Sequence, residues 1–140
     1  MTSSRMGRLY IEEARGRMAL VTLALANGLW AATVRGAQEC VERFLKGALR
    51  LIGVEPARTH DVADILRREA HRFPDWFRSA VDQLATISTE LAGDRGIAFY
   101  GDERQEFGPQ ELFDDKDALR AARNVEFVGE LCERLLRESG

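Results

Sequence analysis

The chain has 140 residues, 45% of them hydrophobic and 31% charged, the size and balance of one folded domain rather than of a disordered tail. Its net charge of −3 falls short of the basic excess that marks a dedicated nucleic-acid binder. Two cysteines, Cys40 and Cys132, stand outside any Cys-x-x-Cys or Cys/His cluster, which argues for a reduced protein with no disulfide framework, no metal site and no cofactor.

Helical periodicity begins early. Ile11, Ala14, Met18, Val21 and Leu25 step by three and four, and Asn27-Gly28 then ends the run, because glycine tolerates the left-handed conformation of a helix stop. The uncharged stretch between Arg17 and Arg35 is too short to span a membrane. At about 1.5 Å per residue it reaches roughly 25 Å against a hydrocarbon core of about 30 Å, and it contains that turn. The polar residues before it do not read as a signal peptide, so a cytoplasmic protein that does not engage a membrane is expected.

The second segment is the clearest. Trp30, Val34, Ala37, Val41, Phe44, Ala48 and Ile52 hold one apolar face for about six turns, and Gly53 stops it. Thr59 is the expected N-cap of a third helix, with Asp61 in its first turn and Val62, Ile65, Leu66 and Ala70 inward. Pro74 suits the first turn of a fourth, along which Phe77, Ala80, Leu84, Ile87 and Leu91 keep the helical spacing. Between Gly93 and Phe113 the pattern fades into a polar stretch with four glycines and Pro109, read as a long loop. The last helix begins near Asp114, with Asp117 three residues on in the manner of a capping box, and buries Ala118, Ala122, Val125, Val128, Cys132 and Leu135. No segment alternates with period two. The expectation is a single all-α domain over 1–140, its core about 9–136, built as an antiparallel up-and-down bundle of about five helices.

Several side chains invite two readings. Glu42 and Lys46, like Glu39 and Arg43, form i, i+4 pairs in the favourable order, each contributing about 0.3–0.5 kcal/mol. Arg43, Lys46 and Arg50 share one helical face, which is either self-paired and solvated or a patch for nucleotide phosphates. His60 fits a packed helix-start histidine, or else a ligand or general base, while His71 beside Arg72 reads as surface. Ala32, Gly36 and Cys40, spaced by four, line a small-residue stripe that serves either the bundle or a dimer seam. Charge is uneven: residues 1–72 carry 12 basic and 8 acidic side chains, residues 73–140 carry 8 and 15, so a basic side and an acidic side are expected.

The stretch from Ala37 to Leu49, Ala-Gln-Glu-Cys-Val-Glu-Arg-Phe-Leu-Lys-Gly-Ala-Leu, is followed by Gly53-Val54-Glu55-Pro56 and by Arg58-Thr59-His60-Asp61-Val62. This order resembles the signature second helix and the Gly-x-x-Pro…Thr-His-Asp junction of the HEPN family (higher eukaryotes and prokaryotes nucleotide-binding). With Trp30 and the closing helix from Ala118 to Leu136, the resemblance covers about Leu9 to Leu136. It implies a helical bundle, commonly a homodimer, that binds nucleotide or RNA, and in some members pairs with a minimal nucleotidyltransferase in toxin–antitoxin-like systems.

Ribonucleases of the family carry Arg, four to six residues, then His, for charge stabilisation and proton transfer. No such pair occurs in this chain. The closest fit is Arg95-Gly-Ile-Ala-Phe-Tyr100, with Arg104 nearby, and a tyrosine of ordinary pKa near 10 exchanges protons poorly at neutral pH; Arg95 pairing simply with Asp94 or Asp102 is the plainer alternative. The resemblance therefore implies first a non-catalytic nucleotide-binding and interaction module using Arg43, Lys46 and Arg50. A divergent metal-independent ribonuclease built on Arg95, Tyr100 and Arg104 is the alternative.

Overall fold

Gly28, at φ +69°, folds the chain back after α1 (Ser4–Ala26) into α2 (Trp30–Leu51), and Leu29 N closes the turn on Ala24 O at 3.0 Å. This is the stop expected of Asn27-Gly28. The two helices then pack so tightly that Gly7 and Gly47 oppose each other. A Cβ on Gly47 would lie 2.7 Å from Ile11 Cγ1 and 2.9 Å from Gly7 O, closer than real side-chain carbons approach. Further along the seam Gly36 faces Val21, and the Cys40 thiol reaches Ala14 O at 3.7 Å. Gly36 and Cys40 of the small-residue stripe thus serve the bundle itself, while Ala32 is exposed.

The computed structural model describes residues 4–139. Besides α1 and α2 it contains α3 (Ala63–Arg68), a 3₁₀ turn (Ala70–Arg72), α4 (Asp75–Arg78), α5 (Val81–Tyr100), α6 (Pro109–Leu112) and α7 (Asp115–Glu138). The all-α expectation holds, but as four long and three short helices rather than about five. No strand forms among the described residues, only an isolated bridge between Asp102 and Phe107. None of their helices is long and apolar enough to cross a membrane.

α2 is the central element. Val34, Ala37, Val41, Phe44, Leu45 and Ala48 are all at most 2% exposed, packed with Leu84 of α5, Val125 and Val128 of α7, and the Phe73–Phe77 stack, whose rings are 4.2 Å apart. Each of the valine, leucine and phenylalanine side chains among them contributes about 1.5–3 kcal/mol by leaving water. α7 starts as expected: Asp114 Oδ1 accepts from Asp117 N, and Asp117 Oδ2 from Asp114 N, both at 2.9 Å.

Two stretches differ from the expectation. The third helix begins at Ala63 rather than at Thr59, because Asp61 Oδ1, not the Thr59 hydroxyl, takes the Ala63 N–H at 2.9 Å. The 93–113 stretch is largely ordered. α5 runs through Gly93 and Gly96 to Tyr100, and Gly101 (φ +72°) then lets the chain turn where a Cβ would strike Phe107 O. α6 follows, and Gln110 Oε1 accepts the Ala31 N–H at 2.9 Å, satisfying an unpaired donor at the start of α2.

Replacing Gly47 with alanine should lower the unfolding free energy by about 1–3 kcal/mol through overpacking. The same change at Gly93, where nothing lies within 4 Å of the added carbon, should raise it by about 0.5–1 kcal/mol. Urea unfolding of the two variants checks both signs.

Candidate functional site

Gln38 projects from α2 into a polar seam and is only 2% exposed. Its amide nitrogen donates to Glu42 Oε1 at 2.8 Å, and its oxygen accepts from Arg95 Nη1 of α5 at 2.6 Å. One turn on, Glu42 also accepts from Lys46 Nζ at 2.9 Å and from His60 Nδ1 at 2.8 Å. A carboxylate only accepts, so Nδ1 carries the hydrogen of that bond, and Nε2 of a neutral His60 is left as an acceptor. Burial draws the Glu42 carboxyl upward, but hydrogen bonds from Lys46, Gln38 and His60, with the Lys46 charge, outweigh it and hold the pKa below the ordinary value.

His60 is not on a helix. It lies in the segment between α2 and α3, half-exposed, and its neighbour Asp61 anchors that segment to α5: Asp61 accepts from Ser88 Oγ at 3.0 Å and Thr89 Oγ1 at 2.8 Å. Ser88 Oγ in turn accepts from Val62 N at 3.0 Å. The packed helix-start histidine of the sequence reading is therefore replaced by a fixed loop histidine paired to a carboxylate.

Glu42, Lys46, His60 and Arg95 line a hollow of about 280 Å³ with Tyr10, Arg17, Glu39 and Arg43. Four permanent cations there (Arg17, Arg43, Lys46, Arg95) face two carboxylates (Glu39, Glu42). A neighbouring hollow of about 380 Å³ shares Tyr10 and Lys46 and adds Arg50, Arg58 and Glu55, so the two adjoin at these side chains, a groove in two parts with a cationic excess. Arg50 lies over the Tyr10 ring at 4.6 Å.

Arg43, Lys46 and Arg50 all line this groove, and each also has a carboxylate: Arg43 with Glu13 at 3.5 Å, Lys46 with Glu42, Arg50 with Glu55 at 3.2 Å. Glu39 pairs across the seam with Arg17 at 2.6 Å rather than with Arg43 on its own helix. Arg95 joins the groove, bonded to Gln38 rather than to Asp94 or Asp102. Tyr100 is 71% exposed at the end of α5, and Arg104 lines a different cavity beyond that helix. Arg95 and Arg104 therefore serve separate hollows, and the residue that joins Arg95 in its hollow is His60.

Both cysteines are buried: burial pushes the Cys40 thiol up to about 12, and Cys132, wholly enclosed, also upward, which disfavours the thiolate at both. Among the described residues no group of three or more His, Cys, Asp or Glu side chains is placed to hold a metal ion.

A family model described as HEPN domain matches residues 8–135. No curated protein and no solved structure matches the chain.

Because the Glu42 carboxyl sits lower in the folded protein than in the unfolded chain, its contribution is fully present above the unfolded value, about 4.3, and is lost as pH falls through the folded one. The Glu42→Gln variant should be less stable than wild type by about 1–2 kcal/mol near neutrality. That gap should narrow as pH falls from about 6 to about 3. Denaturant unfolding of both proteins across that range measures it; a constant gap would place the effect in packing alone.

Proposed function

The chain belongs to the HEPN domain family, whose helical modules are of nucleotide-binding or ribonuclease type, and from that premise we propose that it binds nucleotides or a single-stranded RNA backbone in the groove along α1 and α2. The observation that carries this reading is the excess of fixed cations over carboxylates where Arg17, Arg43, Lys46 and Arg95 converge. Arg95 gives it its strongest support. Its hydrogen-bond partner is a neutral amide, so its charge is free to act on a phosphate, which a guanidinium binds in a two-pronged fashion. Arg43, Lys46 and Arg50 flank it as weaker contributors, because a phosphate must compete with their carboxylates.

In this reading the protein works as a non-catalytic interaction module, a homodimer that accompanies a nucleotidyltransferase-like partner in a toxin–antitoxin-like pair. Support for self-association comes from α1 rather than from the α2 stripe: Leu20 and Leu23 are 60% and 61% exposed. Replacing both with glutamate should convert a dimer to a monomer in light scattering without loss of helicity.

A second reading is favoured by one specific feature, the shared hollow of Arg95 and His60. A histidine held through Nδ1 by a carboxylate is a competent proton acceptor at Nε2, and a nearby arginine stabilises charge on a phosphate. In that reading the ribonuclease uses His60 with Arg95, where the motif would have set a histidine at position 100.

One titration separates the two. A labelled uridine oligonucleotide should bind at low salt and weaken steeply as salt rises; changing Arg43, Lys46 and Arg50 together to glutamine should flatten the logarithmic salt slope by about 2, the counterions released by three single-strand phosphate contacts. The oligonucleotide should stay intact. Chelator-resistant cleavage lost in both His60→Ala and Arg95→Ala would replace the non-catalytic reading by the second, and binding that ignores the triple change and Arg95→Ala alike would end both.

A further inference from the structure

On the far side of α5 from Arg95 lies a cavity of about 580 Å³, bounded by α5, the turn after it, α6 and the start of α7. Its volume falls in the range of small-molecule sites. One wall is apolar: Ile97, Leu112 and Phe113 line it, and Ile97 is 43% exposed, an apolar surface held open inside a hollow. The rest is acidic, with five carboxylates against the single guanidinium of Arg104.

The carboxylates are not equivalent. Glu90 is paired with Arg120 at 2.8 Å, and Asp117 Oδ2 is engaged by the Asp114 N–H. The Asp94 carboxylate has neither a hydrogen bond nor an ion pair with another described residue, although it is partly buried between these two. Burial, and then the charges of Glu90 and Asp117, raise its pKa against the weaker opposing charge of Arg120, so Asp94 stands in an acidic setting that Arg120 only partly offsets and that favours a further cation beside it. The apolar wall and the lack of a metal-holding cluster among the described residues disfavour a bare ion. A group with a charged end and a hydrocarbon body satisfies both walls at once.

We propose that this cavity binds an organic cation, an ammonium or guanidinium group on a short alkyl chain, with the charge at Asp94 and the chain against Ile97, Leu112 and Phe113. The site is separate from the basic groove, so it stands whatever the groove binds.

Agmatine, which carries both kinds of cation on a four-carbon chain, is the probe. Titrated into isotope-labelled protein at physiological salt, it should produce saturable shifts of the Asp94, Ile97, Gly101 and Phe113 amides. Asp94→Asn should weaken binding about tenfold, the loss of one charge-assisted contact. Ile97→Lys, which places an ammonium in the hollow, should abolish it. Glu126→Gln, the same charge change on the exposed face of α7, should leave affinity unchanged, and the amide spectra report whether each variant is folded. Shifts that fail to saturate at millimolar agmatine, equal weakening by Glu126→Gln and Asp94→Asn, or equal displacement by magnesium chloride and by its ionic-strength equivalent of sodium chloride with no effect of Ile97→Lys would each overturn the proposal. The first would mean no site, and the others a diffuse acidic field.

Discussion

A glutamine amide buried on the central helix has to satisfy both of its ends, and much of the polar architecture follows from how it does so. Leaving either end of Gln38 unpaired costs about 1–3 kcal/mol. The oxygen is met by Arg95 from α5 and the nitrogen by Glu42 from the same helix. Glu42, now partly buried, needs its own donors, and recruits Lys46 from its own helix and His60 from the loop before α3. One buried amide thus ties two helices and a loop into a single network, and the open side of that network is the groove. The apolar core makes the bundle stable. This polar seam sets where its charged residues stand.

The charge asymmetry along the chain becomes a spatial one through α5. Asp94 and Arg95 are consecutive, and consecutive helical residues diverge by roughly 100°. Arg95 therefore lines the basic groove with residues of the first half of the chain, while Asp94 lines the acidic cavity with Glu90 and Asp117. Cationic and anionic linings thus stand on different faces of one helix, whose diameter is about 10–12 Å. A net charge of −3 conceals this separation entirely.

What could be read from the sequence was local or periodic. The Asn27-Gly28 turn, the stop at Gly53 and the Asp114–Asp117 capping box depend on residues within four positions of one another. The apolar face of α2 repeats often enough to outvote exceptions. The second half of α5 was not legible because Gly93 and Gly96 face open space and are poor helix formers; packing of the preceding turns carries the helix through them. The Thr59 cap was displaced by Asp61, whose carboxylate gains further partners in Ser88 and Thr89 of α5, unseen from the loop alone. Arg43, Lys46 and Arg50 lie along one face of α2, and the Glu42 partner of Lys46 is legible on the same helix, whereas Glu13 of α1 and Glu55 of the following loop, which pair with Arg43 and Arg50, are not. His60 and Arg95 meet only because each bonds to a residue of one α2 face.

How the two groups are delivered bears on what the groove can do. Arginine and histidine on one helical turn are held at a separation fixed by the backbone. Here the histidine arrives on a loop and the arginine on α5, and their separation is set by two side chains, Gln38 and Glu42, with Asp61 fixing the loop to the same helix that carries Arg95. The hydrogen bonds of Asp61 to Ser88 and Thr89 therefore have a consequence beyond stability: they tie the loop that carries His60 to the helix that carries Arg95. Loss of that anchor would leave Arg95 in place and free the histidine, weakening any function that needs both while sparing one that needs only charge. The geometry of the groove is in this sense shared between α2, whose Gln38 and Glu42 hold the two groups, and α5, which carries Arg95 and anchors the loop.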